Sequence, residues 1–212
     1  MADTAYLQYN FHGAGASHMH RHFMPKVLEL CGARERLAGA RVLDVGCGNG
    51  FTCGEFAKLG CQVTGTDLSQ SGIEMARRAL PQCRFELVSA TDDLLTRLGG
   101  MPFDFVISTE VVEHLYDPRS YVRSCHRALK PGGRFICTTP YHGYLKNLAI
   151  ALAGKWDTHA DPLWDCGHIQ LWSRSTLTRL LTEAGFTNFH FRGAGRVPYL
   201  WMTMVMAADK PV

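Results

Sequence analysis

The feature that most constrains this chain is a short apolar run that feeds directly into three spaced glycines. Arg41-Val-Leu-Asp-Val45 is followed by Gly46-Cys-Gly-Asn-Gly50. A run this short and apolar, bounded by a turn signal, reads as a strand buried on both faces, as parallel sheets require. Glycines at alternate positions let the backbone pass close beneath a ligand before the next helix begins. The spacing is Gly-x-Gly-x-Gly. A dinucleotide fingerprint needs its third glycine at position 51, where this chain has Phe51. A second half of the signal closes the next strand, Val63-Thr-Gly-Thr-Asp67. An acid at that tip suits a ribose diol, accepting from both hydroxyls. The plainer alternative is a tight turn followed by a helix-capping Asp.

The rest of the chain alternates strand and helix. Helices are expected over about 18–31 (Val27, Leu28 and Leu30 inward), 51–59, 92–98, 118–129 and 175–184. Ser69 is the expected N-cap of a further helix through Ile73, Met75, Ala76 and Ala79. Strands are expected over 41–45, 62–66, 85–88, 103–108 and 134–139, the last entered from the turn Lys130-Pro-Gly-Gly133. Gly185 reads as a left-handed cap. Two strands remain, near 188–192 and 201–208, too close for a helical crossover and far enough apart for a hairpin. The expected fold is therefore α/β. It is a Rossmann-like sheet of seven strands, mostly parallel, with helices on both faces and a C-terminal antiparallel hairpin.

Length and composition agree with one such domain over 1–212, with a mobile stretch over 1–16. A chain 46% hydrophobic and 19% charged is neither disordered nor fibrous. Lys plus Arg less Asp plus Glu is 22 − 19 = +3, which neither demands nor forbids a nucleic-acid partner. No apolar run approaches the ~20 residues of a membrane span. The first residues lack the basic-then-apolar pattern of a signal peptide, so a cytoplasmic location is expected. No two of the eight cysteines have Cys-x-x-Cys spacing, so they read as small core hydrophobes rather than a zinc or disulfide framework.

At these residues the sequence resembles the class I S-adenosylmethionine-dependent methyltransferases. Val-Leu-Asp-Val-Gly-Cys-Gly-Asn-Gly50, Gly65-Thr-Asp-Leu-Ser69, Phe103-Asp-Phe-Val-Ile-Ser-Thr-Glu-Val-Val-Glu-His-Leu115 and Leu129-Lys-Pro-Gly-Gly-Arg-Phe135 stand in that family's order and spacing. The resemblance implies that Gly46, Cys47 and Gly48 line the methionine part of the cofactor, with Asp44 beneath its amino group through water. It places Asp67 on the ribose, Leu68 on the adenine, Thr91 and Asp92 near the adenine edge, and Thr109 on the cofactor side of the fourth strand. Where the family often carries an acid, two residues before Asp92, this chain has Ala90.

Glu110, Glu113 and His114 follow the fourth strand at i, i+3 and i+4. On one helical turn they would share a face, where two carboxylates and an imidazole suit a divalent ion. The alternative is a Glu-His pair that caps a helix and orients a substrate without metal. His168 stands in a loop able to reach the same edge of the sheet. Two methyltransferase subfamilies are similar in this feature: the ubiquinone-biosynthesis O-methyltransferases and the small-RNA 3′-terminal 2′-O-methyltransferases. The resemblance implies a metal held by Glu110, Glu113, His114 and His168, with Mg²⁺, Mn²⁺ or Zn²⁺ as the ion. Both subfamilies methylate one hydroxyl of a vicinal pair. His114 and His142 are the candidate catalytic residues, and His142 reads equally well as a surface loop residue. His18, His20 and His22 read as a solvated helix or a lid over the cofactor.

An insertion over 141–165 contains the apolar run 144–156, expected as a core helix, a substrate lid or a membrane-surface helix. Trp164, Trp172, Tyr199 and Trp201 could wall an aromatic pocket or stack a base. The leading expectation is O-methylation of a small aromatic vicinal diol, weighed against RNA 3′-end methylation, metal-independent methylation and non-catalytic cofactor binding. Scattered Lys and Arg, with no run beyond Arg77-Arg78, disfavour the RNA partner.

Overall fold

The structure is a computed structural model that describes residues 19–161, 163–164 and 167–212. The expected mobile stretch over 1–16, His12, His18 and Cys166 lie outside the described residues. In chain order the elements are α1 (His20–Cys31), β1 (Arg41–Val45), α2 (Phe51–Lys58), β2 (Gln62–Asp67), α3 (Gln70–Ala79), β3 (Arg84–Leu87) and α4 (Leu94–Arg97). There follow β4 (Phe103–Thr109), α5 (Pro118–Ala128), β5 (Leu129–Pro140), α6 (Tyr144–Leu152), α7 (Trp156–His159), α8 (Arg174–Glu183), β6 (Thr187–Ala194) and β7 (Thr203–Asp209). The strand order is β3-β2-β1-β4-β5-β7-β6. The first five strands pair in parallel, and β7 runs antiparallel to both β5 and β6, as the short link between the last two strands predicts.

Burial on both faces explains the sequence of the central strands. Phe135 and Cys137 of β5, with Met204, Met206 and Ala208 of β7, enter the cluster that also holds Tyr121 and Val122 of α5 and Leu177 and Leu181 of α8. The alternate residues Ile136, Val205 and Ala207 enter the opposite cluster with Phe23 and Val27 of α1, Phe56 of α2 and Ile73 of α3. This period-2 division of an unbroken apolar run is what a strand between two helical layers produces.

Local signals set the helix ends. Ser69 accepts from Gly72 N and starts α3, as expected. Ser173 and Thr176 form a reciprocal capping box at α8. Pro25 lies inside α1 at an exposed position, where the carbonyl it leaves unpaired can face water.

Three expectations on elements are corrected. The turn over 130–133 sits within β5, between Leu129 paired with Phe103 and Arg134 paired with Phe105. The apolar run 144–156 is not one helix, because it breaks after Leu152 at Gly154 (φ +62°). It is not a core helix either: Tyr144, Leu145, Leu148 and Leu152 are exposed and Lys146 is its buried residue. No helix among the described residues is long and apolar enough to cross a membrane.

Phe135 is fully buried, with the Phe186 ring 5.4 Å away and the Tyr121 ring 6.1 Å away. Phe135→Ala is expected to cost about 3–5 kcal/mol of stability, read as a lower urea midpoint at unchanged slope. A loss under about 1 kcal/mol would mean that the cavity collapses and the core is less tightly packed than these contacts indicate.

Candidate active site

The sheet reverses its winding between β1 and β4, and ligands of open α/β sheets bind at the carboxyl ends of the strands beside such a reversal. The cofactor loop leaves β1 there. Gly46 N and Cys47 N donate to Thr66 O at 2.7 and 2.9 Å, folding the loop onto the end of β2. Gly46 has φ +76°, and a Cβ at that position would stand 2.3 Å from Val111 Cγ2. No other residue type fits both the conformation and the space.

Asp67 ends β2. Its Oδ2 accepts from Gly48 N at 2.8 Å and its Oδ1 from Ser69 N at 2.7 Å. Burial raises its pKa, opposed by the backbone N–H groups of Ser69, Gly48 and Leu68. Asp44, fully buried, accepts from Cys53 Sγ at 3.2 Å through Oδ2, while Oδ1 is buried without a hydrogen-bond partner among the described residues. Burial pushes its carboxyl up to about 7. Leu68 is half-buried just past β2, and Thr109 is half-buried at the end of β4. Thr91 and Asp92 follow β3. The Thr91 hydroxyl shares a 3.0 Å bond with Ser89, and the Asp92 carboxylate lies 4.0 Å from Arg97. A loop with left-handed glycines, an acid at the tip of β2 and an orphaned carboxylate oxygen beneath them fit an adenosyl cofactor with a cationic amino acid tail.

The acceptor side is built differently from the sequence expectation. Glu110, Glu113 and His114 do not share a helical turn. Glu110 takes a left-handed backbone (φ +55°), and only Val112–His114 forms a single 3₁₀ turn. Glu110 turns instead toward β5, where its carboxylate accepts from Thr138 Oγ1 at 2.7 Å. The group that converges is Glu113, His114 and His168, whose ligand atoms lie within 4.8 Å of one another. Glu110 stands outside that group.

Three bonds bring the distant His168 loop to this turn. Ile169 N and Gln170 N both donate to Glu113 O at 2.9 Å, and Trp172 Nε1 donates to Val112 O at 3.3 Å. His114 Nδ1 lies 3.1 Å from Gly167 O. A carbonyl only accepts, so Nδ1 carries the proton in this contact. Glu113 is fully buried, and among the described residues neither carboxylate oxygen makes a hydrogen bond of normal geometry; the Thr139 hydroxyl is the polar group beside it. Burial, then the nearby Glu110, pushes its carboxyl well above the ordinary range.

His142 is not a surface residue. It is 6% exposed, its N–H donates to Trp172 O at 3.0 Å, and its Nδ1 lies 3.3 Å from Asn147 Oδ1. Burial, then Lys146, lowers its pKa to about 4, so the ring is neutral across the neutral range. The four aromatic residues do not form one wall. Trp164 stands 5.0 Å from the His168 ring, Trp172 belongs to the core, and Tyr199 packs on Trp201, which meets Tyr141 and Phe191. Of the expected N-terminal histidines, His20 packs on Phe51 at 4.5 Å, at the start of the helix after the glycine loop. An open groove of about 840 Å³ lies between the start of α6 and α8, and none of the predicted site residues lines it.

Sequence reasoning missed Lys146 and His159. Lys146 carried a signal, as a cation inside an apolar run. His159 carried none, because the break at Gly154 that turns it back toward His142 (ring centroids 5.3 Å apart) was not expected.

The fold and this pocket define an S-adenosylmethionine-dependent methyltransferase of class I. A methyltransferase-domain family model matches residues 16–190, and the chain belongs to that family. It is 32% identical over 188 residues to the ubiquinone biosynthesis O-methyltransferase of Ruegeria pomeroyi, covering 85% of this chain and 73% of that one. It is 41% identical over 118 residues to the protein of the same name from Xanthomonas oryzae pv. oryzae. That match covers 54% of this chain and about half, 49%, of the relative. Among solved structures, the magnesium protoporphyrin IX methyltransferase of Synechocystis PCC 6803 with bound SAH superposes with a TM-score of 0.64 at 18% identity. It covers 88% of this chain and 81% of that one, a likeness of fold.

Asp67→Ala is expected to weaken S-adenosylmethionine by about 2–4 kcal/mol, through loss of charge-assisted bonds to the ribose and of the support for the Gly48 N–H. Titration calorimetry reads this directly. Unchanged affinity would remove Asp67 from the ribose site.

Proposed function

We propose that this methyltransferase transfers its methyl group to one hydroxyl of a vicinal pair on a small, apolar aromatic ring of quinol or catechol type. We further propose that a divalent ion held by Glu113, His114 and His168 assists it. The observation that carries this reading is the convergence of these three side chains, with a fully buried Glu113 carboxylate that makes no hydrogen bond of normal geometry among the described residues. A buried carboxylate in that state is costly unless it is protonated or meets a cation. The names of the 32% and 41% identical relatives support the O-methyl direction.

The residues divide the work as follows. Asp67 and the Gly46–Gly48 backbone would hold the adenosyl and methionine ends of the cofactor, with Asp44 beneath its amino group, Leu68 and Asp92 near the adenine and Thr109 beside the methyl. The cofactor supplies an activated methyl on a sulfonium, already a good leaving group. A neutral hydroxyl is the weak partner, and a divalent ion at the Glu113 site would lower its pKa and fix its direction. Two imidazoles and one carboxylate favour Mn²⁺, Fe²⁺ or Zn²⁺ over Mg²⁺, which prefers oxygen. The Gly167 carbonyl fixes the His114 ring for that role. His142, neutral and buried beside the inserted segment, can relay the released proton, though with its pKa lowered to about 4 it passes the proton on rather than holds it.

The outward apolar stripe of α6 supports the small-molecule reading over RNA. Tyr144 and Leu152 are 79% and 80% exposed, with Leu145 and Leu148 between them. Such a face suits the tail of an amphiphilic substrate or a peripheral contact with a membrane surface, and it offers nothing to phosphates.

Glu113→Ala and His168→Ala are expected to give folded proteins that bind S-adenosylmethionine normally and turn over poorly. Loss of one ligand should weaken the metal by at least about tenfold, since even supporting residues around a metal contribute that much. Excess Mn²⁺ should restore part of the activity, and a chelator should inhibit the unsubstituted protein. Full activity in chelator, with metal analysis finding no ion, overturns the metal site and leaves Glu113 and His114 as orienting residues.

A further inference from the structure

The segment that leaves β4 touches the loop that leaves β1 through one side chain. A Cβ built on Gly46 would meet Val111 Cγ2 at 2.3 Å, Val111 Cγ1 at 3.4 Å and Val111 Cβ at 3.5 Å. The three nearest atoms thus belong to one valine, whose isopropyl group fills the space that the glycine leaves. The first distance is an overlap and the last an ordinary contact, so the γ carbons alone exclude a side chain at position 46.

Both partners are held in place. Gly46 N and Cys47 N are tied to Thr66 O at the end of β2, and Val111 bears on the same loop from the β4 side. Around Val111 the chain is fixed at three successive points. Glu110 N donates to Thr138 O at 3.1 Å, Val111 O accepts from His114 N at 3.0 Å, and the Val112 side chain is fully buried in the core. A β-branched side chain has few rotamers, so its two γ carbons form a stiff spacer. Val111 is itself half-buried, so it adds less to the core than Val112 does. The loop passes the contact on. Gly48, two residues beyond Gly46, donates its N–H to Asp67 Oδ2 at 2.8 Å, so a shift at Gly46 moves the partner of the acid at the tip of β2.

We propose that Val111, on the acceptor side of the crevice, is a positioning residue for the cofactor. Its branched γ carbons hold the Gly46–Gly48 loop in its left-handed course, and the affinity for the adenosyl cofactor depends on that contact. Shape at the branch point matters here, and apolar bulk does not. This role is independent of the acceptor hydroxyl and of any metal, because it acts on the glycine loop.

The test is a binding cycle on the full chain, read by titration calorimetry with S-adenosylhomocysteine and needing no acceptor. Melting of the ligand-free proteins is measured alongside. Val111→Ala should melt close to the wild type and bind at least about threefold more weakly, within the coupling seen between residues in contact. Val111→Ile keeps both γ carbons and should keep the affinity. Val111→Leu is as apolar but branches one carbon later, and should lose affinity as alanine does. Gly46→Ala should bind at least about thirtyfold more weakly, from the overlap and the left-handed backbone together. In Gly46→Ala/Val111→Ala the nearest remaining atom is the Cβ at 3.5 Å. That protein should bind at least about threefold more tightly than Gly46→Ala, with the backbone cost of alanine remaining. Wild-type affinity in Val111→Ala overturns the proposal. Equal affinity in Val111→Leu and Val111→Ile also overturns it, since Val111 is then apolar filler, and this comparison stands even should the double variant fail to fold. A folded double variant that binds no better than Gly46→Ala overturns it too. So does a weaker Val111→Ala whose melting temperature falls far below the wild type, because the residue then acts through stability.

Discussion

Val45 ends β1 and Ser108 stands one residue before the end of the neighbouring β4, where the winding of the sheet reverses, and the crevice beyond them organises the molecule. The Ser108 hydroxyl donates to Val45 O at 2.8 Å and holds the two strand ends together. Just beyond them Gly46 and Val111 pass so closely that a methyl group at position 46 would overlap the valine. The cofactor loop and the acceptor turn are thus locked against each other at their first residues. A methyl transfer needs donor and acceptor aligned within a fraction of an ångström, and rigid packing between the two loops is a more direct way to secure that than motion of either. The left-handed backbone of Glu110 belongs to the same constraint. It turns the chain out of β4 sharply enough to bring Val111 back over Gly46.

Burial governs the electrostatics on both sides of that contact. Asp44, Glu110 and Glu113 are carboxylates pushed upward mainly by desolvation, while His142, His168 and Lys146 are bases pushed downward by the same cause. Every one of these groups is held closer to neutrality than it would be in water. Such a pocket has low polarity until a charged ligand arrives, and then each group can respond by ionising. The cost of burying them unpaired is borne by the surrounding α/β core, which packs both faces of the sheet.

The strands and the antiparallel last pair were legible because a parallel sheet buried on both faces writes itself as unbroken apolar runs, and because the short link before β7 excludes a crossover. The loop after β1 was legible because its left-handed glycines and the close pass of Gly46 against Val111 demand that residue type. The Glu110–His114 segment was misread for a local reason. Spacing of i, i+3 and i+4 predicts a shared face only if the residues are helical, and the left-handed Glu110 cannot be inferred from Ser-Thr-Glu-Val-Val. The pairing of His114 with His168 depends on bonds from Ile169, Gln170 and Trp172 to backbone carbonyls of the 3₁₀ turn. Carbonyls carry no sequence signature, so family resemblance pointed to the approach of this loop where residue types and spacing were silent. His142 was left between two roles because a histidine just past a strand end has no periodicity to place it.

Helix α6 shows why composition alone misjudges an inserted segment. An apolar run with one lysine looks like a core helix that tolerates a snorkelling cation, and Lys normally turns its charge outward along an apolar stem. Here the arrangement is reversed, because the sheet edge behind α6 offers histidines, a glutamate and a backbone carbonyl rather than hydrocarbon. Outward leucines can be tolerated singly by solvent, yet Tyr144, Leu145, Leu148 and Leu152 form a contiguous stripe that water does not reward. The two faces of one short helix thus invert the usual order, with a charge held inside and an apolar stripe turned outward.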